Sequence, residues 1–367
     1  MASTHVPFRP LKLSPEERQH CQDRAFQLLD RTLRSYDERD GQGDGGHRAN
    51  APLHHSNLDN TRWKLLKTQA NASAYTERNS SSSVFRDQNL LGGDWENPVV
   101  ILMAGTVQGD LDEIMLGVEI PDAPSLKVRI EAYTKQPVES QLAAQGSDAT
   151  TGLRDLGFYR DHDARKWRSH WLRGGDACEA SAVSATTGDN LRGKAMYAAI
   201  FKQQEPGVVD VFAHTYVEMQ GAILDKLLMT YTWKSTLGFW DARELAEMKK
   251  LQWCIANWKS ERQKELQRAS SSAVNVCRQC VDKRSMMKRF NCVGVDERTL
   301  CVLCASPTCS KCRVERKLKV VDESSRRLVD KRVLVCRPCL MFVRQLAPTE
   351  VARLNHKQRV RQQQASS

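Results

Sequence analysis

Cys301-Val302-Leu303-Cys304-Ala305-Ser306-Pro307-Thr308-Cys309-Ser310-Lys311-Cys312 places two Cys-x-x-Cys pairs only four residues apart. A third pair, Cys277/Cys280, lies 20 residues upstream, and a fourth, Cys336/Cys339, lies 23 residues downstream. Two thiolates separated by two residues on a tight turn can both reach one ion at about 2.3 Å, the usual half-site for tetrahedral zinc. Four half-sites make two zinc ions. The closeness of the second and third pairs favours an interleaved cross-brace. In that arrangement Cys277, Cys280, Cys309 and Cys312 hold the first zinc, and Cys301, Cys304, Cys336 and Cys339 hold the second. No histidine lies between Cys277 and Cys339, so both sites are expected to be all-cysteine. Four cysteines per ion leave no open coordination position, which makes the sites structural and argues against metal catalysis. A structural zinc contributes roughly 10–16 kcal/mol of folding free energy in peptide models. A segment this polar requires such a contribution. Cys292 is left over, as a ninth, unligated thiol of the module or a substitute ligand.

Charge follows the same division. The chain of 367 residues has a formal net charge of +11. Residues 259–367 hold 25 Lys+Arg against 10 Asp+Glu, and the rest holds 30 against 34. A mildly acidic body thus carries a strongly basic tail domain, and positive charge of this kind suits an anionic partner, nucleic acid or a membrane surface. Apolar residues make up 40% and charged residues 27%, which are globular proportions. The longest apolar run, residues 98–105, is far shorter than the roughly 20 residues a spanning helix needs. The first twenty residues lack an apolar stretch, so no signal peptide is expected and a soluble intracellular protein is the default.

Upstream of the cysteines, periodicity outlines the body. Ser14-Pro15-Glu16-Glu17 is a capping box with Pro at the first helical position. Cys21, Ala25, Leu28, Leu29, Leu33 and Tyr36 follow at helical spacing. Residues 41–56 are rich in Gly, His and Asn and read as a loop or disordered insert. Residues 63–66 and 73–77 suggest a hairpin, and residues 98–107 a buried strand. A short helix with acids in its first turn starts near Leu111. Residues 127–133, 166–172, 177–187, 195–202 and 208–219 are further strand candidates. Residues 236–267 read as one long helix, with Leu237, Trp240, Leu245, Met248, Leu251, Ile255 and Trp258 on one face. A sheet with a long helix is an α+β architecture, which often encloses an apolar cavity. Residues 341–346 are expected to form a short helix, and residues 357–367 a frayed basic tail.

His162, His170 and His214 supply raw material for catalysis, but no Gly-rich phosphate loop, nucleophile elbow or His-Glu-x-x-His appears. The body is therefore not expected to be an enzyme, and a lone histidine on a strand reads as structural.

The cysteine spacing resembles the FYVE-type zinc finger, whose second and third pairs are also four residues apart. The family's lipid-reading Arg-Arg/Lys-His-His-Cys-Arg is here Glu297-Arg298-Thr299-Leu300-Cys301-Val302, in which only Arg298 survives. The leading Trp-x-x-Asp is absent, and Arg-Val-Cys becomes Leu334-Val335-Cys336. Between the first two pairs runs Lys283-Arg284-Ser285-Met286-Met287-Lys288-Arg289-Phe290. The resemblance makes this the loop that dips into a bilayer. Cations near an anionic surface gain about 1 kcal/mol each, and apolar side chains add burial energy. Lys283, Arg284, Met286, Met287, Lys288, Arg289 and Arg298 are therefore the expected membrane-binding residues.

Two alternatives use the same segment. RING-type ubiquitin ligases share the cross-brace, but favour a histidine ligand, a Pro directly after the seventh cysteine and a Trp for the partner enzyme. Here the last pair is Cys336-Arg337-Pro338-Cys339, and the module has neither His nor Trp. Nucleic-acid binding would use the basic charge, yet Phe290 is the module's single aromatic residue and single strands call for stacking platforms.

The body also resembles START-like domains joined to FYVE-type fingers, an arrangement expanded in oomycetes. The residues that carry this are Arg62-Trp63-Lys64, Ala104-Gly105-Thr106-Val107, Gly109, Leu111-Asp112-Glu113-Ile114-Met115, Gly117 and Glu247-Met248-Lys249-Lys250-Leu251. The resemblance implies a helix-grip fold, a curved antiparallel sheet around a long C-terminal helix with an apolar tunnel for a lipid. It implies an N-terminal strap, helix and insert over 1–56 and a START-like body over 57–268, with the N-terminal helix within 14–37. A linker over 269–276, a FYVE-type finger over 277–340 and a basic tail over 341–367 complete the expected order. The function expected is that of a non-enzymatic adaptor on anionic or phosphoinositide membranes, cytoplasmic and peripheral on endosomes.

Overall fold

The computed structural model describes residues 14–41, 58–69, 71–78, 95, 98–119, 167–172, 193–219, 229–230, 232–233, 236–258, 277, 300–321 and 328–364. The strand candidates at 127–133 and 177–187, most of the insert at 41–56 and the end of the long-helix candidate at 259–267 lie outside them. The fold is a mixture of helices and antiparallel sheet, arranged as two compact units, residues 1–111 with 119–241 and residues 112–118 with 242–367.

The first unit begins with helix α1 (Pro15–Gly41). Pro15 opens the helix, and the Glu16 carboxyl is held below its ordinary range by a backbone hydrogen bond and by Ser14. Among the described residues six strands follow: β1 (Trp63–Gln69), β2 (Ala72–Glu77), β3 (Val99–Gln108), β4 (Trp167–Leu172), β5 (Gly193–Glu205) and β6 (Val208–Met219). They form one antiparallel sheet in the order β1-β2-β3-β6-β5-β4. The N-terminal meander is thus joined to the later strands through the central β3–β6 pair, Val99 opposite Val217 and Gln108 opposite Val208.

Both faces of the central strands are buried, which explains the unbroken apolar run in β3. Val100, Leu102 and Ala104 share one face with Phe212 and Tyr216 of β6 and Met196, Ala198 and Ile200 of β5, and Leu28 and Tyr36 of α1 pack there. Tyr36 meets Phe212 edge to face, and its hydroxyl donates to Asp210 Oδ2 at 2.7 Å. On the opposite face Ile101, Met103, Ala199, Phe201, Val211 and Ala213 are equally buried, and Phe239 contacts the rings of Tyr197 and Phe201. Two glycines are required for different reasons. A Cβ on Gly105 would lie 1.8 Å from the Asn71 carbonyl oxygen, and Gly207, in open space, closes the β5–β6 turn behind Pro206 at a left-handed φ of +81°.

The second unit holds α2 (Leu111–Val118, from Asp112 on), α3 (Ala242–Asn257), strands β7 (Arg313–Val321) and β8 (Leu328–Cys336), α4 (Arg337–Gln345) and α5 (Pro348–Gln364). The long helix expected from residue 236 starts later. Leu237–Phe239 is a 3₁₀ turn, and α3 begins only at Ala242. Strands β7 and β8 pair over nine residues each, from Arg313 opposite Cys336 to Val321 opposite Leu328. Helix α5 occupies residues expected to fray. Ala347 accepts hydrogen bonds from Glu350 and Val351, Val351 is buried, and the Arg-, Lys- and Gln-rich remainder has good helix propensity. Among the described residues, no helix is long and apolar enough to cross a membrane.

Candidate metal centre

Two local turns shape the second cysteine pair. Leu300 bridges Pro307, the Cys301 amide donates to the Ser306 carbonyl, and Ala305 donates back to the Cys301 carbonyl. Ala305 adopts a left-handed φ of 55°, which turns the chain sharply after Cys304. Cys301 and Cys304 therefore face the same way. Their partners come from the far end of the hairpin. Cys336 is the last residue of β8 and the N-cap of α4, with Pro338 in the first turn, and Cys339 lies one residue further on. Val302 donates to the Leu334 carbonyl at 2.7 Å, and the Cys336 amide donates to Cys301 Sγ at 3.3 Å.

The Sγ atoms of Cys301, Cys304, Cys336 and Cys339 all lie within 4.8 Å of one another. Cys304 and Cys336 are 3.8 Å apart. An edge of a tetrahedron with metal–sulfur bonds of about 2.3 Å is itself about 3.8 Å, so this group fits a zinc ion. All four thiols are free. Without a metal they share protons unequally. Cys304 is held well below the ordinary thiol range by Cys301 and then Cys336, while Cys336 and Cys339 are pushed up, in each case first by Cys301 and then by Cys304. The Cys301 thiol is raised by Cys304 but lowered by Cys336 and Cys339, and sits at about 6. Four sulfurs this close cannot all ionise unless a cation balances them.

The first group forms at the other end of the same connection. Cys312 and Arg313 both donate to the Cys309 carbonyl, at 3.0 and 3.1 Å, and Arg337 donates to the Cys312 carbonyl. The sulfurs of Cys277, Cys309 and Cys312 lie within 4.8 Å of one another. Cys280 lies outside the described residues, as do Cys292, Lys283, Arg284, Met286, Met287, Lys288, Arg289 and Arg298. Cys309 follows Cys304 after only four residues, yet the two cysteines belong to different groups. The structure thus brings together the second pair with the fourth, and the third pair with Cys277 of the first.

No family model matches the chain, and no curated protein matches it. Among solved structures, human StAR-related lipid transfer protein 5 is similar to this chain at a TM-score of 0.31 and 10% identity. The match covers 61% of this chain and 97% of that chain. The chain's own cysteines and strands carry the reading of its sites.

The neighbourhood of the second group contains residues that the cysteine pattern did not flag. Leu251 and Cys254 of α3 are buried in one apolar cluster with Cys301, Cys336, Leu318, Val333, Val335, Leu340 and Val343. Burial pushes the Cys254 thiol up to about 11, which keeps it protonated and apolar. Glu247 of α3 accepts from Arg316 Nε on β7 at 2.7 Å and from Arg344 Nε on α4 at 2.6 Å. Burial raises its carboxyl pKa, but the hydrogen bonds from Arg344 and Arg316 outweigh that and hold it below the ordinary range. One signal for the hairpin was present in the sequence. Val314, Leu318 and Val320 alternate with charged residues, and this is the period of a half-buried strand.

The histidines of the body show no catalytic grouping among the described residues. His214 on β6 is fully buried between Trp63 and Tyr216, with ring centroids 5.6 and 5.2 Å away. Desolvation, reinforced by Arg31 and Arg62, depresses its imidazole to about 3. His170 sits on β4, and His162 lies outside the described residues.

Proposed function

We propose that the chain is a non-enzymatic, membrane-associated adaptor of the cytoplasm. Its C-terminal part is a FYVE-type module stabilised by two zinc ions, and its N-terminal part is a START-like body that holds a lipid. One observation carries the reading. Cys304 gathers with Cys336 and Cys339 rather than with Cys309, four residues further along, and alternate pairing of this kind supports a two-ion cross-brace. Cys280 is assigned as the fourth ligand of the first ion. Zinc, when bound, would neutralise the thiolates and fix the hairpin. Both cysteine groups have structural ligand sets and no catalytic role.

Two features support the body and the membrane surface. The six-stranded antiparallel sheet, with α1 on one face and an equally apolar opposite face, suits a fold that shelters an apolar ligand. The basic excess of residues 259–367 and the cation-flanked Met286, Met287 and Phe290 suit an anionic bilayer such as a phosphoinositide-bearing endosomal surface. The test is flotation of the full chain with vesicles of phosphatidylcholine alone, with phosphatidylserine added, and with phosphatidylinositol 3-phosphate added. Zinc-dependent binding to the anionic vesicles that is lost in Met286→Ser/Met287→Ser supports the reading. Binding that is absent, or indifferent to those substitutions, contradicts it. Solvent extraction of the purified protein tests the body, where a co-purifying lipid is the expected result.

A further inference from the structure

Helix α3 is bonded along its length to the elements that end in cysteine ligands. Glu247 bridges Arg316 and Arg344. Lys250 is buried, pairs with Glu113 of α2 at 3.1 Å and donates to the Arg344 carbonyl at 3.3 Å. Gln252 donates to the Lys319 carbonyl at 2.9 Å. Leu251 and Cys254 fill the apolar cluster that includes Cys301 and Cys336, and Trp258 meets the Phe342 ring at 5.0 Å. Strand β7 starts directly after Cys312, β8 ends in Cys336, and α4 contains Cys339. The contacts of α3 with β7, β8 and α4 are therefore to segments that adjoin a cysteine group.

The sequence resemblance assigned this helix to the lipid-holding body, as its closing element. We infer instead that α3 is a metal-dependent element of the cysteine module: zinc in the Cys301–Cys304–Cys336–Cys339 group holds the helix in place, and Glu247 is the positioning residue that ties it there. This inference rests on the zinc reading above. The physical basis is that α3 has few means of standing alone. A 16-residue helix with Lys249, Lys250 and Glu247 in its centre is marginal in water, and most helical stability comes from packing. Its apolar face is buried against the hairpin and α4 through Leu251 and Cys254, and against Leu116 of α2 and Val351 of α5 through Ala246. Without an ion, nothing ties the Cys301–Cys304 loop to the end of β8 and the start of α4, and Arg344 loses its fixed position opposite Glu247. Loss of zinc would then release α3, which makes the helix a reporter of metal state within the second unit.

The experiment is amide hydrogen exchange of the full chain, read by mass spectrometry, with zinc content measured on the same samples. In the zinc-loaded protein, peptides covering 242–257 should be protected. After chelation they should exchange at least about tenfold faster, while peptides from β3 and β6 keep their protection. Glu247→Ala should accelerate exchange in 242–257 with zinc content unchanged, and Glu247→Asp should restore part of the protection. If zinc leaves and 242–257 stays protected, the inference is overturned and the zinc reading stands. If Glu247→Ala leaves the exchange unchanged, the positioning role is overturned. If the wild-type chain carries no zinc, both readings fall, and the metal assay separates that case from the others.

Discussion

Cys304 and Cys336 are 32 residues apart in sequence, and their sulfurs are 3.8 Å apart in space. The relationship arises from two local devices. A left-handed Ala305 turns the Cys301–Cys304 loop, and the nine-pair hairpin returns Cys336 to it. If the two cysteines ligate one ion, replacing both costs little more than replacing either. Residues acting through one shared group are non-additive, and independent groups add. Cys304→Ser and Cys336→Ser should each remove one zinc per chain, and the double variant should also remove one. Cys304→Ser combined with Cys309→Ser should remove both. Metal analysis of the purified variants checks this, and an additive Cys304/Cys336 pair would break the grouping.

His214 makes the first unit sensitive to acid. Its ring is neutral in the fold, with its pKa near 3 against 6.5 in the unfolded chain. Below about pH 6.5 the unfolded state takes up a proton that the folded state refuses. The contribution is therefore complete above 6.5 and is lost progressively as pH falls towards 3, at roughly 1.4 kcal/mol per pH unit. Neither ring nitrogen has a hydrogen-bond partner among the described atoms. His214→Phe should flatten the loss between pH 6.5 and 4.5 and leave the unit as stable or more stable at neutral pH. Urea unfolding at several pH values measures both, and an unchanged pH slope would remove His214 from the account.

Much of the body was legible because its signals are local. Period-two and continuous apolar runs located β3, β5 and β6, and Ser14-Pro15 marked the start of α1. The separate grouping of the Cys304 and Cys309 sulfurs was legible for a similar reason, since four residues between them leave little room for one shared ion. The allegiance of α3 was not legible. Leu245, Leu251 and Trp258 announce an apolar face but not which surface covers it, and the ion pairs of Glu247 span 69 and 97 residues. The start of α3 was misplaced because apolar spacing from Leu237 through Leu245 continues across a 3₁₀ turn that sequence periodicity does not distinguish.

Gly117 marks the contact between α2 and α3 inside the second unit. A Cβ there would lie 1.8 Å from the Ala242 carbonyl oxygen, and both groups are backbone-bound. Lys249 secures the same junction by donating to the Leu116 and Gly117 carbonyls at 2.6 and 3.2 Å. Gly117→Ala should destabilise the second unit by about 1–3 kcal/mol, the usual cost of overpacking. Thermal unfolding followed by tryptophan fluorescence would report the shift, and an unchanged midpoint would contradict the close packing.

Tyr36 ties α1 to the sheet through Asp210, whose side chain is buried. Tyr36→Phe keeps the ring against Phe212 and deletes the hydroxyl, which takes one hydrogen bond from a buried carboxylate. The expected cost is about 1.5–3 kcal/mol, the range for bonds to charged groups. Denaturant unfolding measures it, and a loss below about 0.5 kcal/mol would show that the bond does not anchor the helix.

The central claim is a pair of closed, all-cysteine zinc sites built by alternating Cys-x-x-Cys pairs. Native mass spectrometry of the full chain, purified without added metal or chelator, tests it most directly. The account expects a mass increment of two zinc ions per chain, both lost together with the folded charge-state distribution on acidification. One ion per chain, or a chain folded with none, would contradict it.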